Sequence, residues 1–93
     1  MIRSFRCTDS DNLFNGQPTR RLPSVIVERA RMRLQRLNAA VRIEDLRLPP
    51  SHRLEALKGK RKGQWSIRIN DQWRVCFVWR DSDAWNVEIV DYH

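Results

Sequence analysis

The chain has 93 residues, enough for one domain and not for two, and a chain this short buries only about 60–65% of its unfolded surface. Its hydrophobic fraction of 41% suits a globular fold and argues against a disordered one. No apolar run approaches the ~18 residues of a membrane span, and Met1–Phe5 lacks the apolar stretch of a signal peptide, so a cytoplasmic protein with no membrane partner is expected. Eighteen Lys and Arg against eleven Asp and Glu leave a net charge of +7 and a pI near 10.7. Such a balance implies an anionic partner: nucleic acid, an acidic protein or a membrane surface. Fifteen of the cations are arginine, whose planar fork favours phosphate and stacking, and the bias leans toward nucleic acid. Cys7 and Cys76 are the only cysteines. Their separation supports neither a metal site nor a disulfide framework, and both read as small buried thiols.

In chain order, Ile2–Arg6 alternates briefly and predicts a short first strand. Asp9–Phe14 predicts one or two helical turns closed by Asn15-Gly16. Gln17–Pro23 is a basic connector carrying Arg20 and Arg21. The clearest helix follows, with Ser24 expected at its N-cap. Val27, Ala30, Leu34, Leu37 and Val41 share one face, flanked by Ile26. Arg29, Arg33 and Arg36 make a second row, where like charges cost about 0.2–0.5 kcal/mol per pair. That row fits an acidic partner, a phosphate or a plain solvated face. Ile43–Arg47 predicts a short helical turn, stopped by Pro49-Pro50.

The second half reads as strands. Arg53–Lys58 is a weakly alternating candidate, followed by the loop Gly59–Gly63. Trp65, Ile67 and Ile69 then alternate with polar neighbours. So do Trp73, Val75, Phe77 and Trp79, and after a second turn Trp85, Val87 and Ile89. Period-two runs joined by short turns predict an antiparallel meander. Helices followed by a run of strands make the chain α+β.

The candidate chemistry is concentrated in this half. All three lysines, Lys58, Lys60 and Lys62, lie within five positions together with Arg61, a loop suited to phosphate. Arg68 and Arg74 alternate away from the apolar positions of their strands and project from the opposite sheet face, toward a phosphate or toward Glu88. The final Asp91-Tyr92-His93 brings together a carboxylate, a phenol able to stack on a base and an imidazole that titrates near neutral pH.

In order, Leu54–Gly59, Gly63–Ile69, Gln72–Phe77 and the closing Asp91-Tyr92-His93, with Met1–Phe5, resemble the HigB branch of the RelE-like toxins over nearly the whole chain. The resemblance implies a RelE-like microbial RNase fold, an antiparallel-dominated sheet packed against two N-terminal helices, as a single domain over 1–93. It implies a ribosome-dependent endoribonuclease that cleaves mRNA in the ribosomal A site and so inhibits translation and growth. It also implies a HigA-like helix-turn-helix antitoxin as partner, a monomer when alone and a higher assembly with that antitoxin. Lys58, Arg74, Asp91, Tyr92 and His93 match the family's functional positions. Glu55 stands where well-known members carry histidine. On this reading no metal or cofactor is needed, because RNA supplies its own 2′-OH nucleophile. Lys58 and Arg74 would stabilise the phosphate. Asp91 or His93 would take the proton, with Glu55 an alternative base. Tyr92 would hold a base, while Arg68 and Lys60, Arg61 and Lys62 would bind backbone or ribosomal RNA. The competing reading is a non-enzymatic basic module that binds RNA or the ribosome without cutting.

Overall fold

The computed structural model describes residues 1–92. Two helices, α1 (Thr8–Phe14) and α2 (Ser24–Ala39), precede four strands: β1 (Glu55–Ala56), β2 (Trp65–Arg68), β3 (Trp73–Arg80) and β4 (Asp83–Asp91). The strands form one antiparallel sheet in chain order. This is the expected α+β meander. Single turns of 3-10 helix occupy Ile43–Arg47, Pro50–His52 and Gly59–Arg61.

The helix spacing works as predicted over most of its length. Ile26, Ala30, Leu34 and Leu37 are buried against Ile67, Ile69, Val75, Phe77, Val87 and Ile89 of the sheet. Two details differ. Pro23, not Ser24, is the capping residue of α2, and no side chain caps that end. Ser24 is already helical, because the fixed φ of Pro23 ends the extended connector one residue earlier. Val41 lies beyond the helix end and is 66% exposed, while Ala40 takes the buried place.

The sheet departs from simple alternation at one point. Between Cys76 and Val78 the β3–β4 register slips, and Asn86 opposite adopts φ 54°. An extra residue in a strand reverses which face the following side chains occupy. Val87 and Ile89 therefore point inward on one side of the bulge, and Ala84 does so on the other. Trp85 is turned out of the core, its indole under Arg80 with 4.6 Å from the guanidinium to the ring. The β3–β4 hairpin closes through Asp81 and Ser82, both at positive φ, the conformation that matches strand twist in a two-residue turn.

Both sheet edges are covered. Along β4 the N-terminal segment forms two isolated parallel bridges, at Ile2 and Phe5, in place of the predicted first strand. Buried Ser10 extends this edge by accepting a hydrogen bond from the Ile89 amide at 2.9 Å. At the other edge β1 is only two residues long, shorter than the 53–58 expectation, and leaves β2 open beyond Ser66. The Arg33 Nε donates to the Arg68 carbonyl there at 2.8 Å, and Arg29 reaches the Ile69 carbonyl at 3.4 Å. Part of the α2 arginine row thus satisfies backbone acceptors that an open edge would leave bare.

Candidate active site

Strand register assembles the site. Glu55 pairs with Ser66, Ser66 with Cys76, and Cys76 with Glu88; the adjacent row runs from Arg68 through Arg74 to Val90. Side chains alternate across a strand, so both rows stand on the face turned away from α2. The Tyr92 amide donates to the Gln72 carbonyl at 2.6 Å, continuing the β3–β4 ladder and bringing Tyr92 to the same face.

Arg74 is the centre of this group. Its Nη1 donates to Ser66 Oγ at 3.2 Å and lies 3.7 Å from Glu55 Oε1. Its guanidinium stacks 4.7 Å from the centre of the Tyr92 ring, a cation–π contact that fixes both planes. Glu55, Leu57, Lys58 and Tyr92 line one cleft of about 450 Å³ beside it. Lys58, Arg74, Tyr92 and Glu55 are therefore brought together, from β1, its following turn, β3 and the end of β4.

The basic loop is anchored rather than loose. Arg61 Nη1 donates to Glu88 Oε1 at 2.9 Å and to Gln64 Oε1 at 3.1 Å. The hydrogen bond to Glu88 raises the Arg61 guanidinium above its already high ordinary value. Lys60 and Lys62 flank it, exposed. Sequence reasoning placed Arg61 among RNA-binding residues but saw neither Gln64 and Glu88 as its partners nor Ser66 as the floor under Arg74. The signal was available in the shared face of Ser66, Arg74, Cys76 and Glu88. Cys76 lies fully buried in that floor, and burial, aided by Glu88, pushes its thiol up against the pull of Arg61 and Arg74, which disfavours the thiolate.

Two predicted residues sit apart from this group. Asp91 pairs in register with Trp73, on the face opposite Arg74 and Tyr92, and its Oδ2 accepts from Gln72 Nε2 at 3.1 Å. Arg68 shares a row with Arg74, but its guanidinium turns along the strand end to Asp71. The catalytic role expected of His93 lies outside the described residues. Sequence reasoning also passed over His52, which is fully buried with Nδ1 3.1 Å from the Leu46 carbonyl. Among the described residues, no three His, Cys, Asp or Glu side chains gather as metal ligands, and no helix is long and apolar enough to cross a membrane.

Comparison with known proteins bears on this geometry. Residues 3–93 match a family model described as the RelE-like toxin of type II toxin–antitoxin system HigB. Endoribonuclease HigB of Proteus vulgaris is 36% identical over 93 residues, covering all of both chains. Toxin HigB-1 of Vibrio cholerae is 45% identical over 67 residues, 72% of this chain and 70% of that one. Among solved structures, the YoeB–YefM toxin–antitoxin complex of Staphylococcus aureus contains a chain that superposes with a TM-score of 0.61. That match covers 100% of this chain and 98% of the other at 15% identity, and it shows the shared fold.

Proposed function

The chain belongs to the HigB-like family of RelE-like toxins of type II toxin–antitoxin systems, and from that membership we propose that it is an endoribonuclease that cuts mRNA on the ribosome. The observation that carries the proposal is the convergence of Lys58, Arg74, Glu55 and Tyr92 on one sheet face. A full-length relative is named an endoribonuclease, which agrees with that chemistry.

In this reading Lys58 and Arg74 hold the scissile phosphate and stabilise charge as it develops. The 2′-oxygen of the RNA attacks phosphorus, the bond to the 5′-oxygen breaks, and a cyclic phosphate and a 5′-hydroxyl result. Glu55 is the described carboxylate beside Arg74 and takes the 2′-OH proton, a role for which Asp91 is less well placed, while the departing 5′-oxygen takes a proton from solvent water. Tyr92, its plane fixed by Arg74, stacks on a base and sets the phosphate in line. Lys60, Arg61 and Lys62 hold flanking backbone. A HigA-like antitoxin neutralises the protein in the cytoplasm, the free toxin being a monomer.

The test is to incubate the protein with translating ribosomes and map mRNA 5′ ends. Cleavage by wild type, lost at least about 100-fold in Arg74→Ala, is the expected result. Intact message with wild type, or undiminished cutting by the variant, would contradict the reading. RNA binding without any product would favour the non-enzymatic module.

A further inference from the structure

We propose that the cleft between α2 and the open edge of β2 is a second phosphodiester site, which takes an RNA backbone phosphate other than the scissile one. The inference rests on the RNA-cleaving function above and extends it to a surface that the reacting cluster does not use.

The cleft has a volume of about 410 Å³, and Arg29, Arg33, Arg53 and Arg68 line it together with Ser51 and Asn70. Four arginines thus border one space. The single acid in the lining, Asp71, pairs with Arg68, so the cations still outnumber the acids there, chiefly at Arg29, Arg33 and Arg53. Arg29 and Arg33 each give one N–H to a backbone carbonyl at the end of β2, Ile69 and Arg68 respectively. A guanidinium has five, which leaves donors for a ligand. Like charges held this close raise the free energy of the empty cleft, and a bound anion relieves it. Burial and the charges of Arg29 and Arg36 hold the Arg33 guanidinium below its ordinary value, consistent with that crowding.

The chemistry selects phosphate over an acidic protein. Ile69 is the one apolar residue in the lining, whereas protein interfaces need an apolar core within a polar rim. Forked donors around a small polar cleft match the oxygens of a phosphodiester. Position points the same way. Arg68 is the register partner of Arg74, so the cleft and the reacting cluster meet at one residue pair. RNA held at Arg74 reaches the cleft by following β2 to its end.

The experiment measures binding of a 2′-O-methyl RNA oligonucleotide, which cannot be cut, and of intact ribosomes across a KCl series. The variant Arg29→Gln/Arg53→Gln removes two exposed guanidiniums and leaves Arg33 on its strand carbonyl. We expect binding about tenfold weaker, as for a lost charge-assisted contact, and a salt slope shallower by ~0.7 for each phosphate released. Arg20→Gln/Arg21→Gln removes equal charge from the exposed connector and should change binding less than about twofold. Arg29→Lys/Arg53→Lys keeps both charges and should restore the slope, which also separates lost contact from lost fold. Weakening on the oligonucleotide assigns the phosphate to the message, and weakening on ribosomes alone assigns it to ribosomal RNA. Either upholds the site. Wild-type affinity on both overturns it. Cleavage by wild type is scored separately: a protein that binds through this cleft but never cuts removes the enzymatic function and leaves the cleft standing.

Discussion

Glu55 and Arg74 sit 3.7 Å apart on the face proposed to receive a phosphate, and position 55 is where the resemblance implies a histidine and this chain has glutamate. A carboxylate there accepts a proton but adds no positive charge. Glu55→Gln should therefore lower the cleavage rate about 100-fold, within the range of a lost general base, while RNA binding stays the same or tightens as Arg74 loses its competing anion. Glu55→His should recover part of the rate with a pH profile displaced toward neutrality, since imidazole titrates there. Rate against pH for the three proteins checks both statements. His52 yields a different kind of prediction. Burial lowers its pKa below the ordinary 6.5, assisted by Arg33 and Arg36 and opposed by the hydrogen bond to Leu46. The unfolded chain then binds the proton that the folded chain resists, so stability is fully present above the unfolded value and is lost as pH falls from there through the lower folded value. Melting temperature should decline between about pH 7 and pH 5.5, and His52→Asn should flatten that decline whatever its absolute stability. At this scale the sequence was a partial guide. Lys58, Arg74 and Tyr92 were singled out in sequence by the resemblance and by their chemistry, and the fold brings them to one place. Glu88 was offered in sequence only as an alternative partner of Arg68 and Arg74, whereas the 3-10 turn at Gly59–Arg61 brings Arg61 over the sheet to pair with it.

Period-two alternation made the strands readable, and hydrophobic spacing made α2 readable. What alternation does not carry is phase across a bulge. Trp85 has the size and spacing of a core residue, yet Asn86 in the left-handed region puts it outside and seats Ala84 instead. Asn is one of the few residues that tolerates that conformation, and it was the one available sign. The arginine row of α2 was equally ambiguous in sequence, because a helix does not reveal what its polar face meets. In the fold two of its members cover the open edge of β2. This gives the row an energetic signature. Arg33→Ala should destabilise the protein by about 1–2 kcal/mol, the cost of leaving the Arg68 carbonyl without its charged donor. Arg36→Ala, one turn on and exposed, should stay within about 0.5 kcal/mol. Urea unfolding of the two variants measures the difference, and equal losses would mean that the edge contact contributes nothing.

The whole molecule carries its charge unevenly in function even though cations are spread along the chain. Several acids are engaged locally: Asp83 by the N-terminus and Arg3, Glu88 by Arg61, Asp71 by Arg68. The excess of +7 is thus expressed where cations outnumber nearby carboxylates, at the Lys58–Lys62 turn and around Arg29, Arg33 and Arg53. Electrostatic binding of this kind is driven by release of counterions from the nucleic acid, with a slope of about −0.7 per phosphate on a single strand. If about four phosphates are engaged across the cluster and the turn, log affinity should fall with log salt at a slope near −3. Binding to a non-cleavable RNA should then weaken about 50-fold between 50 and 200 mM KCl. A neutral stacking surface would show almost no such dependence, because stacking releases no condensed ions. Under the proposed function charge also sets the order of events: attraction brings the protein to RNA at many places, whereas cutting would require the 2′-OH, Glu55 and Arg74 in one geometry. Raising salt should therefore increase the RNA concentration needed for half-maximal cleavage far more than it lowers the maximal rate. An equal loss in both would mean that the cations act mainly in the chemical step rather than in capture.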